Sequence, residues 1–168
     1  MDPLAFLADL ETKPQWLDRL AARMALGNPF EAAPRDVDRV LLLGMGSSRF
    51  AASVAARDLR VAGLAAAAEP ASADASWPPD PRTLVVAVSA TGESAETVDA
   101  VERYRGRSPV VALVNDPEST LASRADFVVE MGPARSLAAS RAERSSTRGS
   151  SCMRWRPTSR GSATISWA

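Results

Sequence analysis

Four short runs of consecutive apolar residues constrain the fold of this 168-residue chain more than any other feature. They cover residues 40–43, 83–88, 110–114 and 127–131, and each is rich in Val or Leu at successive positions. Uninterrupted apolar runs of this length are typical of parallel strands that are covered on both faces. Amphipathic segments at residues 48–61, 95–105 and 118–123 separate the runs, and a weaker strand is predicted over residues 64–69. Strands and helices therefore alternate, which predicts βαβ units in a doubly wound α/β fold with a parallel sheet.

The two ends of the chain differ from this central pattern. Residues 3–26 have helical apolar spacing, and Pro14 stands where a second helix could begin, so we predict two short amphipathic helices. With a Pro-containing connector, residues 1–37 form a predicted N-terminal helical arm. Residues 141–168 contain six Arg and one acid, Glu143, and neither Leu nor Val. We predict that this basic tail is disordered or loosely packed.

Composition excludes several classes of function. The 20 basic residues balance the 20 acidic ones, but the basic tail leaves the rest of the chain acidic, which disfavours nucleic-acid binding. The chain has no His and one Cys, Cys152, so it cannot form a Ser-His or Cys-His pair or a thiolate-imidazole zinc site. We expect no metal and no cofactor. Without a long apolar segment or a signal peptide, we also expect no membrane partner and a cytoplasmic location.

The first predicted strand is followed by the sequence GMGSSR, residues 44–49. Glycines allow a tight turn, and the N-terminus of the following helix offers free N–H groups to a phosphate. In a simpler interpretation, the residues turn the chain and Ser48 caps the helix. A dinucleotide site is a further alternative, because two glycines of its fingerprint are present and Glu69 lies where a ribose-binding acid would be. However, Arg49 occupies the position that requires a third small residue.

A second polar turn, SATGES at residues 89–94, follows the strand predicted at 83–88. Its three hydroxyls and its backbone N–H groups suit a phosphate held without a nearby Lys or Arg. Helix capping by Ser94 or Thr91 is the alternative, but it explains only one of the three hydroxyls. In a sheet ordered 2-1-3-4-5, both turns flank the switch point where ligands bind in open α/β sheets. Their shared position strengthens the prediction of a phosphate site.

These motifs resemble those of the sugar isomerase (SIS) domain family. SATGES followed by AET resembles its phosphate loop, GMGSSRFAA resembles its Gly-Thr-Ser loop and helix, and VVALVNDPESTLASRADFVVEMG resembles its fourth strand, short helix and fifth strand. The resemblance covers residues 38–140 and implies a five-stranded parallel sheet in the flavodoxin-like order 2-1-3-4-5. Ala90 stands where double-SIS synthases have Gln. The residues that match the family's phosphosugar-binding hydroxyls are Ser47, Ser48, Ser89, Thr91 and Ser94.

The resemblance implies a phosphosugar-binding domain of an aldose–ketose isomerase or an aminotransferase-like protein. It is similar to the first SIS domain of a double-SIS isomerase, in which the catalytic Glu, Lys and His belong to the second domain. Catalytic residues therefore stay unassigned, and turnover by this chain is an open question. Glu93, the only acid in the second turn, is interpreted as a helix N-terminal charge rather than a general base. The alternative function is a non-catalytic module that senses a sugar phosphate.

The resemblance stops at residue 140, where the composition also changes. This coincidence leads to the hypothesis that the chain is truncated by a change of reading frame near Arg141. A domain that loses its partner domain exposes apolar surface, so we also expect a homodimer.

Overall fold

A computed structural model of the chain describes residues 3–132. In chain order, the elements are α1 (Pro3–Leu26), β1 (Arg39–Gly44), α2 (Gly46–Val61), β2 (Ala65–Pro70), β3 (Thr83–Val88), α3 (Ala95–Glu102), β4 (Val110–Val114), α4 (Thr120–Arg124) and β5 (Phe127–Glu130). All five predicted strands are present, with ends that differ from the predicted ones by at most one residue. The predictions for the basic tail and for a change of reading frame lie outside the described residues.

The five strands form one parallel sheet in the order β2-β1-β3-β4-β5, which confirms the predicted fold class. The chain leaves β1, crosses to β2 on one side, and then returns to β3 on the other side of β1. Gly44, the last residue of β1, pairs with Pro70 of β2 and with Val88 of β3. The three strands therefore end at the same level, with the switch point between β1 and β3.

Both faces of the sheet are covered, which explains why the strands are apolar at successive positions. Leu41 and Leu43 of β1 contribute to a core with α3 and α4, in which Tyr104 is the largest fully buried side chain. Val40 and Leu42 point to the other face and form a second core with α2. Alternate side chains of a strand face opposite sides, so a strand between two helical layers needs apolar residues at every position.

The N-terminal arm is a single helix, so the prediction of two short helices is wrong. Helix α1 is 24 residues long and continues without a break through Pro14. Proline removes one backbone donor and disfavours a helix interior by about 3 kcal/mol. The residues on both sides of it include several strong helix formers, among them Leu10, Glu11, Lys13 and Leu17. The helical hydrogen bonds on either side therefore outweigh the local cost.

The segment 71–81 includes three prolines and contains no helix or strand. It crosses beside α3, where the Tyr104 hydroxyl donates a 2.9 Å hydrogen bond to the carbonyl of Trp77. The Ser108 hydroxyl donates to the carbonyl of Asp80 and accepts from its N–H, both at 2.9 Å. These bonds tie the irregular segment to the end of the α3 layer.

Candidate functional site

The two polar turns leave the sheet side by side. Because Gly44 pairs with Val88, the turn after β1 and the turn after β3 begin on neighbouring strands at the carboxyl edge. Helices α2 and α3 that follow them pack on opposite faces of the sheet. The chain therefore diverges between the two turns, which is the geometry of the crevice that binds ligands in open α/β sheets.

The turn after β1 needs glycine for space and for backbone conformation. A Cβ at Gly44 would lie 3.1 Å from the backbone N of Arg49, so the strand end and the first turn of α2 approach closely. Gly46 has a φ of +51°, in the left-handed region that favours glycine. This tight turn directs the N-terminus of α2 toward the carboxyl edge of the sheet.

Ser47 and Ser48 lie in the first turn of α2. The helix begins at Gly46, and its N-cap is Met45, which makes no side-chain capping bond. The interpretation of Ser48 as the helix cap is therefore wrong. Within residues 3–132, neither serine hydroxyl has a hydrogen-bond partner, and Ser47 is exposed. Both hydroxyls are free to donate to a ligand at the first turn of the helix.

The first two hydroxyls of the second turn form hydrogen bonds within the turn itself. The buried Ser89 Oγ accepts a 3.1 Å hydrogen bond from the N–H of Gly92. The exposed Thr91 Oγ1 accepts a 3.2 Å bond from the N–H of Glu93. Because each hydroxyl acts as an acceptor in these bonds, its own proton stays available for a further bond.

Ser94 is the N-cap of α3, which confirms one of the capping interpretations. Its Oγ accepts from the Thr97 N–H at 3.4 Å and from the Thr97 hydroxyl at 3.1 Å, and it donates to Glu96 Oε2 at 3.0 Å. The backbone N–H of Glu96, followed by the Ser94 hydroxyl, holds the pKa of the Glu96 carboxyl below its ordinary value. An anion that bound to the Ser94 hydroxyl would compete with Glu96 for its proton.

Glu93 connects the second turn to the next loop at the same edge. Its Oε1 accepts a 2.7 Å bond from the Thr120 N–H, and its Oε2 accepts a 2.7 Å bond from the Thr120 hydroxyl. The carboxylate therefore lies at a helix N-terminus, as interpreted from the sequence, but the helix is α4 instead of the adjacent α3. No local signal could reveal this contact, because the two residues are 27 positions apart.

The second turn rests directly on the residues that precede α4. Gly92 has a φ of +70°, and a Cβ added there would lie 2.1 Å from Ser119 Oγ. Ser119 is 4% exposed, and its Oγ has no hydrogen-bond partner among the described residues. The Leu121 N–H donates to Gly92 O at 2.9 Å, and the Asn115 N–H donates to Ala90 O at 3.1 Å. Backbone hydrogen bonds therefore anchor the turn, and the side chain of Ser119 leaves no room for a Cβ at position 92.

The second turn contains no cationic side chain, so an anion there would depend on hydroxyls and backbone N–H groups. In the described part of the chain, the buried Arg49 Nε and Glu69 Oε2 have no hydrogen-bond partner. Both residues lie at the carboxyl edge beside the first turn, and Glu69 is at the end of β2.

Nothing among residues 3–132 groups three or more His, Cys, Asp or Glu side chains around a metal position. None of the described helices is long and apolar enough to cross a membrane.

The parallel sheet and its two polar turns define an open α/β domain with its switch point between β1 and β3, the position at which such sheets bind ligands. The family model of the SIS domain matches residues 35–142. The chain belongs to the SIS domain family, as its motifs predicted.

A sequence relative agrees with this assignment. The chain is 35% identical over 125 residues to a glutamine–fructose-6-phosphate aminotransferase (isomerizing) from Acidithiobacillus ferridurans. The match covers 69% of this chain and 20% of the relative, so the chain spans about a fifth of that relative's length.

Solved structures show the same fold at low sequence identity. The tagatose-6-phosphate ketose/aldose isomerase of Escherichia coli superposes with a TM-score of 0.60 at 21% identity, over 77% of this chain and 40% of the isomerase. An E. coli CFT073 protein solved in complex with A5P has a TM-score of 0.60 at 15% identity, over 79% of this chain and 76% of that protein.

Proposed function

We propose that the chain binds a sugar phosphate in the crevice between the two turns. The pairing of Gly44 with Val88 carries the proposal, because it sets both turns next to each other at the switch point. The phosphate is held by hydroxyls and by the N–H groups at the start of α2. The hydroxyls that we assign to the ligand are those of Ser47, Ser48, Ser89, Thr91 and Ser94.

The names of the relatives support a phosphosugar as the ligand. They include a fructose-6-phosphate aminotransferase and a tagatose-6-phosphate isomerase. We infer that the chain corresponds to the first SIS domain of such an isomerase or aminotransferase-like protein. In this role, the domain binds and orients the phosphate end of the substrate, while the groups that move protons belong to another part of the protein.

A module that senses a sugar phosphate without turnover is the second candidate. It is favoured by Glu93, the only acid of the second turn, whose two carboxylate oxygens are both engaged by Thr120. The sequence also has no His to act as an acid or base near neutral pH. Binding is thus supported by residues of this chain, whereas proton transfer is not.

Calorimetric titration of the full chain with fructose 6-phosphate, glucosamine 6-phosphate and inorganic phosphate tests the proposed site. The double variant Ser47→Ala/Ser48→Ala removes two hydroxyls that have no structural partner among the described residues. Because a hydrogen bond to a charged group contributes about 1.5–3 kcal/mol, we expect a rise in Kd of roughly tenfold or more. Ser53→Ala is the matched control, since the Ser53 hydroxyl donates only to the Arg49 carbonyl within α2.

Two results would contradict the proposal: no heat with any of the three ligands, or an unchanged Kd in the double variant. Variants of Ser89 and Ser94 are less suitable as a first test, because these hydroxyls also brace the turn and cap α3. An assay of aldose–ketose interconversion on the same preparation tests whether this chain moves protons by itself. Turnover identifies an isomerase, whereas binding without turnover is the result expected both of a substrate-binding domain and of a sensing module.

A further inference from the structure

A small cavity, which we call the loop cavity, lies between the segment 71–81 and the end of the α3 layer. Its volume is about 260 Å³, and Trp77 and Tyr104 form apolar parts of its wall. Arg103 and Arg107 line it as well. Both arginines belong to the connection from α3 to β4, which enters the sheet at its amino edge. The loop cavity is therefore remote from the two polar turns, which leave the sheet at its carboxyl edge.

The two arginines of the loop cavity have no acidic partner. In the described part of the chain, neither Arg103 nor Arg107 forms an ion pair, whereas Arg105 between them pairs with Glu102 at 3.8 Å. The acid of the lining is Asp74, which is exposed, so water and salt screen its charge. The loop cavity therefore carries a net positive charge that a small anion would balance.

Two buried polar atoms of the lining residues lack hydrogen bonds. They are the Nε of Arg103 and the Oγ of Ser76, which have no partner among the described residues. Each of these atoms can donate one hydrogen. A buried donor without a partner is costly, and a bound ion or water molecule is a common way to satisfy it. Two such donors beside two unpaired cations favour a ligand with several anionic oxygens.

The hydrogen bonds that the two arginines already form use few of their donors. Arg103 Nη1 donates to the Ala73 carbonyl at 3.0 Å, and Arg107 Nη2 donates to the Arg103 carbonyl. Each guanidinium has five N–H donors, so most of them stay available to a ligand. Because Arg103 Nε and Ser76 Oγ are covered by neighbouring atoms, a small rotation of these side chains turns them toward an anion.

We propose that the loop cavity is a second ligand site, which binds a small molecule carrying a phosphate or carboxylate group. Arg103 and Arg107 supply the positive charge, and the Ser76 hydroxyl donates to an anionic oxygen. The six-residue strand β3 separates the two edges of the sheet by about 20 Å. Binding at the loop cavity therefore does not depend on the function proposed for the crevice.

NMR titration of the full chain with inorganic phosphate, and separately with succinate, tests the loop cavity. We expect saturable shifts of the Trp77 indole N–H and of the backbone N–H signals of residues 73–76. The signals of residues 46–49 report on the crevice, so each site gives its own Kd. The ligand with the lower Kd at the loop cavity identifies the preferred anionic group.

Variants of the lining separate a specific site from a general effect of charge. Ser76→Ala breaks no hydrogen bond of the described residues and should raise the Kd at the loop cavity about tenfold. Arg107→Gln removes an exposed charge and should raise it about fivefold. The matched control is Arg105→Gln, which removes the same charge two residues away, outside the lining, and should change it by at most about twofold. Asp74→Asn should lower it.

Three results would overturn the proposal. The first is the absence of saturable shifts at the loop cavity with either ligand, which would mean that only water occupies it. The second is an equal loss in Arg105→Gln and Arg107→Gln, and the third is an unchanged Kd in Ser76→Ala. Circular dichroism checks that each variant keeps its helices. If only the signals of residues 46–49 stay unchanged, the function proposed for the crevice fails and the second site stands.

Discussion

Replacing Gly92 by Ala combines two penalties that can be measured separately. Gly92 has a φ of +70°, and a Cβ there would lie 2.1 Å from Ser119 Oγ and 2.4 Å from Ser119 Cβ. A left-handed backbone costs an L-residue about 1–2 kcal/mol, and overpacking a buried contact costs about 1–3 kcal/mol. We therefore expect Gly92→Ala to lower the free energy of unfolding by about 2–5 kcal/mol, measured by urea denaturation.

Gly63→Ala isolates the conformational penalty. Gly63 has a φ of +90°, and a Cβ there would meet nothing within 4 Å. We expect this variant to lower the free energy of unfolding by about 1–2 kcal/mol. The smaller entropy of the unfolded chain when Gly becomes Ala is common to both variants, so it cancels in the comparison.

A double variant isolates the steric penalty. Ser119 makes no side-chain capping bond to α4, so Ser119→Gly removes the obstructing atoms without removing a cap. The free energy of unfolding of Gly92→Ala/Ser119→Gly should therefore rise above that of Gly92→Ala. The expected gain is the amount by which the loss in Gly92→Ala exceeds the loss in Gly63→Ala. The reasoning is refuted if Gly92→Ala costs no more than Gly63→Ala, or if Ser119→Gly recovers nothing.

Two further predictions concern the carboxylates around the second turn. Glu93→Ala removes both bonds to the N-terminus of α4 and should lower the free energy of unfolding by about 0.5–2 kcal/mol, as the loss of a helix cap does. Glu93→Gln keeps one acceptor, so it should lower the free energy of unfolding by less in the same urea assay. NMR titration should show Glu96 with a pKa below its ordinary value, and Ser94→Ala should raise it. Because the folded-state pKa is depressed, the Glu96 carboxylate stabilises the fold above its unfolded pKa, and this contribution is lost as the pH falls through the folded pKa. An unchanged Glu96 pKa in Ser94→Ala would contradict the contribution assigned to the Ser94 hydroxyl, which is smaller than that of the Glu96 backbone N–H.

The strands were predictable because their signal is local. Parallel strands between two helical layers need apolar side chains at every position, so the runs at β3 and β4 mark the strands residue by residue. The alanine-rich β2 was predictable mainly from its place in the alternation, because Ala by itself favours helix. Pro14 alone did not reveal that α1 is continuous. Whether a helix continues through a proline depends on all the hydrogen bonds on both sides of it.

The sequence by itself determined the alternation of strands and helices and the two polar turns that follow β1 and β3. These properties depend on residues that are neighbours in the chain. Only the tertiary structure decided that Glu93 reaches α4, that Ser119 leaves no space above Gly92, and that several leucine side chains of α1 are exposed. The physical reason is that each of these features depends on how segments distant in sequence pack against one another, and no local pattern records that packing.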